Sequence, residues 1–399
     1  VSTIGASSSG VNDRVRRRLV DAVLGERDRP VQRRAVPTPA LVVDVDLLDA
    51  NIERMADQAR TAGVDLRPHV KSHKSAFVAR RQLEAGATGL SCAKLSEAEA
   101  LVAGLADDGY DRRVSILLTS PLVGEAPSRR AADLARHCDL LVVADDPDGV
   151  DELARALALE GTRATILCDV DVGLGRTGVT DVAQALAVAQ RAVDAEALDF
   201  CGVQGYGGHL QHIHGRRERR AATQQSMDRL RGVVDALESA DYEITVVTGG
   251  GTGTAGLDLA IGVLTELQPG SYVFMDRQYH DALGDDPEGR FDQSLTIETT
   301  VVSAHYDGFV TVDAGLKAMA TDAGAPRVLW PAEAGDYHFF GDEHGRVTCD
   351  PGRALHRGQR VALMPAHCDP TVDRYDHLWL TRGDEVVGVA EVTARGCSQ

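Results

Sequence analysis

Arg67-Pro68-His69-Val70-Lys71-Ser72-His73-Lys74 is the stretch whose reading decides the fold. It closes a strand-like run, residues 65–70, and precedes a helical pattern from about Ser75, so Lys71 falls at the C-terminal end of a short strand. In parallel α/β proteins the groups that react collect at such strand ends. A lysine held there and partly desolvated is a nucleophilic amine able to form a Schiff base. Taken alone, the octapeptide reads first as a solvated basic loop, because charge runs usually are.

Strand-like and helical runs alternate on both sides of it. Upstream, 41–45 is a strand, and the next helix sets Leu48, Ile52, Met55 and Ala59 on one face. Downstream, strands are expected near 89–93, 114–119, 140–144, 165–170, 200–205 and 244–248, with Ala-, Arg-, Glu- and Leu-rich helices between them. Such alternation predicts a parallel α/β fold, a (β/α)8 TIM-type barrel. After about Tyr279 the rhythm changes. Runs at 296–304, 309–312, 361–364, 377–381 and 386–392 are β-rich and are punctuated by Tyr306-Asp307-Gly308, Glu343-His344-Gly345 and Asp350-Pro351-Gly352. The expected organisation is an N-terminal extension over 1–36, a barrel over 37–279 and an all-β domain over 280–399. Within the extension, 1–10 reads as a flexible tail and 12–24 as a short helix.

Composition narrows the function. The 399 residues carry 42 Lys and Arg against 60 Asp and Glu, a net charge of −18. That balance argues against nucleic acid or an anionic membrane as partner, while leaving room for a local phosphate pocket. No apolar run is long enough to span a bilayer, and the N-terminal residues lack the apolar segment of a signal peptide. Seven scattered cysteines form no C-x-x-C pair, which speaks against a zinc ribbon or a disulfide framework. A cytoplasmic location is expected.

Three further motifs follow apolar strands. Asp169-Val-Asp171-Val-Gly-Leu-Gly-Arg176-Thr-Gly178 sets an arginine in a glycine-rich turn, either a planar cation for a site or an exposed barrel-loop residue. Gln204-Gly-Tyr206-Gly-Gly-His209 comes next, and with His212 and His214 it reads as a metal cluster or, more simply, as solvated histidines leading into a helix. Thr248-Gly249-Gly250-Gly251-Thr252-Gly253-Thr254 can cradle a phosphate on backbone N–H groups, but it lacks the lysine of a P-loop and the spacing of a dinucleotide fingerprint. In the β-rich part, Pro365-Ala-His367-Cys368-Asp369-Pro370-Thr371 offers imidazole and carboxylate two residues apart. On an extended chain both face one side, suited to a divalent ion such as Mn²⁺ or Zn²⁺, with Cys368 pointing away.

Together with Thr38-Pro-Ala-Leu-Val-Val-Asp44, these motifs resemble the D-threonine aldolase and D-serine dehydratase group of alanine-racemase-like, fold-type III pyridoxal 5'-phosphate (PLP) enzymes. The resemblance covers about residues 37 to 399. It implies a PLP barrel followed by a β-domain, and a homodimer acting on a small-molecule substrate. It further implies that Lys71, not Lys74, carries PLP as a Schiff base beside His69, and that Arg176 contacts the phenolic oxygen. Tyr206 then lines the pocket, and Thr248, Gly249, Gly250 and Gly251 hold the phosphate. Tyr272 closes on the phosphate side or is a core tyrosine. Relatives often have Tyr-His-Gly where this chain has Tyr206-Gly207-Gly208. His367 and Asp369 match the metal motif, for which Mn²⁺ is expected ahead of Mg²⁺ or Zn²⁺. The dehydratase branch carries cysteine at the position of Asp369, so aspartate favours the aldolase branch. Lys71, His367 and Tyr206 are then the catalytic set. The implied reaction cleaves D-3-hydroxy amino acids such as D-threonine to glycine and an aldehyde. The alternatives are a D-serine or 3-hydroxyaspartate dehydratase, a metal-free racemase and a non-catalytic PLP-binding protein.

Overall fold

Short buried apolar runs, alternating with amphipathic helices, organise the chain in the computed structural model, which describes residues 18, 20–25, 30–284, 286, 289–350 and 355–399. Two strands come first, β1 (Val31–Gln32) and β2 (Ala40–Asp44). Eight more follow: β3 (Asp65–Leu66), β4 (Leu90–Cys92), β5 (Ser115–Leu118), β6 (Asp139–Ala144), β7 (Ala164–Asp169), β8 (Leu198–Gly205), β9 (Val246–Gly249) and β10 (Glu266–Leu267). These eight pair in parallel in the order β3-β10-β9-β8-β7-β6-β5-β4. The two ends of that order meet. His69 bridges Ser91 in parallel, and the Ser91 N–H donates to the Pro68 carbonyl at 2.8 Å. The sheet is therefore a closed barrel. The expected helix forms over Val45–Ala62, with Leu48, Ile52, Met55 and Ala59 all buried.

The barrel interior is layered. Side chains two apart on a strand share a face, so Ser115, Leu117 and Thr119 point the same way, as do Leu167 and Asp169. Arg67, just past β3, reaches over β4 to the Ser115 hydroxyl (2.9 Å) and pairs with Glu266 (2.8 Å), both charges buried. Leu117, Leu141, Val143 and Leu167 form an apolar cluster. At the strands' C-terminal ends the interior turns polar again, with buried Thr119, Asp169, Gln204, Thr248 and Gln268.

The second unit is built on β11 (Leu295–Tyr306), β12 (Phe309–Val312), β13 (Arg327–Trp330), β14 (Ala334–Phe339), β15 (Gly345–Cys349), β16 (Arg360–Met364), β17 (His377–Arg382) and β18 (Glu385–Glu391). Their sheet runs β1-β18-β17-β2-β11-β12-β15-β14, with β16 joining β11 to β13. Within it only the β2–β17 pair is parallel among the described residues. The strand at 41–45, counted above towards the barrel, is β2. It lies between β11 and β17, with Val43 opposite Leu295, and the eighth barrel strand is β10. This pairing moves the division of the chain. Among the described residues, one unit joins those up to 48 with those of 293–392, and the other joins those of 49–292 with 393–399, where 37–279 and 280–399 were expected. Residues Thr393–Gln399 belong to the barrel unit through bonds to Lys74, Ala76 and Ser96. Arg18 and residues 20–24 are helical; the rest of the expected 12–24 helix and the 1–10 tail lie outside the described residues. No helix among the described residues is long and apolar enough to cross a membrane.

Candidate active site

The strand expected over 65–70 keeps only two ladder residues before Pro68, which has no N–H to donate. After His69 the chain makes one 3-10 turn, Val70–Ser72, and Lys71 sits half-buried within it. Lys74 follows in the left-handed region (φ 51°), its N–H on the Val70 carbonyl and its own carbonyl accepting from the Ala394 N–H. His69 Nδ1 accepts from the Lys71 N–H (3.4 Å), so Nε2 carries the ring proton towards the Thr119 hydroxyl (3.1 Å), which donates to the Cys92 carbonyl. Nearby Glu97 is buried, and its carboxylate accepts from the Ala93 N–H at 2.6 Å. Burial raises its pKa, opposed by that N–H and by the charges of Lys74 and Lys71.

The Arg176 turn is laced by carboxylates. Asp171 accepts from the Gly173 and Gly175 N–H groups, Asp145 from the Gly178 N–H, and Asp169 from the Thr177 hydroxyl at 2.8 Å. The Arg176 guanidinium lies 5.4 Å from the centroid of the Tyr206 ring, within cation–π range. Asp169 also accepts from Gln204 Nε2 (2.9 Å), and its pKa is raised by burial. Gln204 Oε1 accepts from Gln268 Nε2, which also donates to the Thr248 hydroxyl. Gln204 thus joins the turns that hold Arg176 and Thr248 and, through the Thr119 carbonyl (3.4 Å), the His69 side of the site.

The glycine loop needs its glycines. A Cβ at 249 would collide with the Gly205 carbonyl, and Gly250 has φ +73°, where a side chain would also meet Asp258. Loop amides are engaged within the protein. The Gly251 N–H bonds Asp258, and the Gly253 N–H donates to Gln211 Oε1 (2.9 Å). Asp258 accepts from the Thr254 hydroxyl as well, and burial pushes its pKa up to about 7. Tyr272 sits in the core, one of the two places expected of it. It is fully buried, its hydroxyl accepts from Gln82 Nε2 (3.0 Å), and its ring meets Phe291 edge-on. Its backbone N–H donates to the Thr252 hydroxyl of the loop.

His367 and Asp369 lie in the β-rich unit. The segment is not extended. His367 is the N-cap of a helix, Cys368–Val372, which Pro370 fits because its missing N–H is unneeded in a first turn. The shared pleated face therefore does not exist. Nor does Cys368 stand apart, for its buried thiol donates to Asp369 Oδ1 (3.3 Å). His367 Nδ1 is instead 2.7 Å from Asp322 Oδ2, a residue to which no spacing pointed. His209 and His214 are exposed, and His212 packs on Tyr279. Among the described residues no group of three His, Cys, Asp or Glu side chains is arranged to hold a metal.

A half-buried amine one turn past a barrel strand, a guanidinium on an aromatic face and a glycine loop packed too closely for side chains are groups that would suit a phosphorylated aromatic aldehyde such as PLP. For a metal, the fit is a single imidazole with its Nδ1 held by a carboxylate, as metal-ligating histidines usually are, and one neighbouring carboxylate.

Comparison with known proteins gives the family. The alanine racemase N-terminal domain family matches residues 43–278, and the putative serine dehydratase domain matches residues 294–381. D-threonine aldolase of Arthrobacter sp. is 38% identical, over 91% of this chain and 94% of its own length. 3-hydroxy-D-aspartate aldolase of Paracoccus denitrificans (strain Pd 1222) is 36% identical over 90% and 92%. D-threo-3-hydroxyaspartate dehydratase of Delftia sp. (strain HT23) is 31% identical over 73% and 74%. The crystal structure of D-threonine aldolase from Filomicrobium marinum superposes with a TM-score of 0.88 at 32% identity, covering 94% of this chain and all of that one. The chain belongs to the alanine-racemase-like family of PLP barrel enzymes, in the group that holds the D-threonine aldolases and D-serine dehydratases. Within that group it is a lyase of the aldolase type.

Proposed function

We propose that the protein cleaves D-3-hydroxy amino acids, D-threonine foremost, to glycine and an aldehyde, with PLP on Lys71 and a divalent cation, Mn²⁺ first, at His367 and Asp369. The observation that carries this reading is Asp369, a hard oxygen donor two residues after His367, in a chain 38% identical to a D-threonine aldolase. Bound PLP supplies the electron sink for the carbanion left at Cα when the Cα–Cβ bond breaks. A cation there would polarise the β-hydroxyl. The chain's own groups do the placing. Lys71 provides the amine, Arg176 the cation against Tyr206, and Asp322 orients the His367 ring so that Nε2 is left to bind. The similarity to 3-hydroxy-D-aspartate aldolase supports D-3-hydroxyaspartate as a second substrate. The protein is further read as a homodimer, and its seven cysteines, present as thiols, suit a reducing cytoplasm.

Product analysis tests the reaction. D-threonine should give glycine and acetaldehyde, and D-3-hydroxyaspartate glycine and glyoxylate. Release of 2-oxobutanoate and ammonia from D-threonine would make it a dehydratase. Racemisation undisturbed by chelator would point to the metal-free alternative. Sedimentation velocity reads the assembly, and an active monomer would refute the dimer.

A further inference from the structure

Two turns proposed above to touch the cofactor, one bearing Arg176 and one bearing Thr248, leave the barrel on strands β7 and β9, with β8 between them. They are joined through side chains. Thr177 donates to Asp169 (2.8 Å), Gln204 Nε2 donates to Asp169 (2.9 Å), Gln268 Nε2 donates to Gln204 Oε1 (3.2 Å) and to Thr248 Oγ1 (2.9 Å). Apart from exposed Thr177, every member is buried, with Asp169 at 4% and Gln204 at 1% exposure. Asp169 is the only anion in the series and holds both neighbours as an acceptor. It also feels the charge of Arg176, one residue from the Thr177 it anchors.

We propose that Asp169 is a positioning residue, which, through Thr177 on one side and Gln204–Gln268 on the other, fixes the Arg176 turn in register with the glycine loop. The proposal rests on the reading that Arg176 and the glycine loop hold PLP. Its chemistry is that of a buried carboxylate with two donors, stronger than neutral hydrogen bonds and rigid once both are made. The barrel thus sets the distance between the two ends of the cofactor by one internal series of bonds, not by two independent loops.

The experiment reads PLP affinity and absorbance in the whole protein. Thr177→Val removes one bond at an exposed position, so the melting temperature should stay that of the wild type. PLP Kd should nevertheless rise about fivefold to tenfold, the loss of one charge-assisted hydrogen bond. Thr177→Ser should restore it. Asp169→Ala should raise Kd further and shift the absorbance maximum of bound PLP, because Arg176 is no longer held at the phenolic oxygen. Wild-type affinity and absorbance in Thr177→Val would overturn the proposal, and so would a loss that Thr177→Ser fails to rescue. Should Asp169→Ala not fold, the Thr177 pair decides alone. If Lys71→Ala keeps the Schiff-base absorbance, it is the underlying PLP reading that fails.

Discussion

At the scale of single residues, Lys71 and Lys74 present the sharpest choice. Both are half-buried and three apart, but Lys74 is committed to a left-handed turn that Ala394 holds, whereas Lys71 follows the His69 bridge at the barrel's closing seam. Lys71→Ala should lose the yellow absorbance and Lys74→Ala should keep it; reductive trapping and peptide mapping check which lysine is labelled. The same scale decides the metal. His367→Ala should retain the absorbance and lose cleavage, since nothing about Lys71 needs the ion. Asp322→Asn should weaken metal binding roughly 10- to 100-fold by loosening the His367 ring, measured by re-adding single metals after chelation. Asp369→Cys should shift preference towards Zn²⁺. Deeper in the barrel, Arg67→Met strands Glu266 without its partner and should cost about 3–5 kcal/mol, while adding Glu266→Leu should recover most of it. Urea unfolding of the single and double variants measures both.

At the scale of elements, the glycine loop carries a buried acid. Asp258 has a folded-state pKa of about 7 against an ordinary value of 3.8. The folded protein therefore holds a proton that the unfolded chain gives up. The stability contributed is full below the unfolded value and is lost as pH rises through the folded one. Between those two values wild-type stability should fall relative to Asp258→Asn, and the difference should level off above about pH 8; denaturant midpoints across that range test it. This acid was not legible in the sequence, because nothing in a Gly-Thr-Gly-Thr run says which carboxylate four residues on will fold back beneath it. The loop was legible, since glycines after an apolar strand have few other uses. β2 was misplaced for a related reason. Ala-Leu-Val-Val-Asp is buried on both faces, and such a run looks the same in a parallel barrel as in a covered mixed sheet. His367-x-Asp369 was read as extended because a five-residue helix is too short to show a 3.6-residue period.

At the scale of the whole molecule, neither unit is continuous in sequence. β2 waits for β11 and β17, and the turn after Lys71 is tied by Ala394 and Thr393. Removing Thr393–Gln399 should speed hydrogen exchange at Lys74 and Ala76 and lower PLP affinity, with the barrel's far-UV signal preserved. The tie has a consequence for synthesis on the ribosome. Chains grow from the N-terminus, and contacts between distant residues form late. All eight barrel strands precede residues 393–399 in the chain, so their residues are made before those that tie the turn after Lys71. The turn after Lys71 is thus fastened by a segment made after every barrel strand, and its final geometry depends on residues that cross back to it.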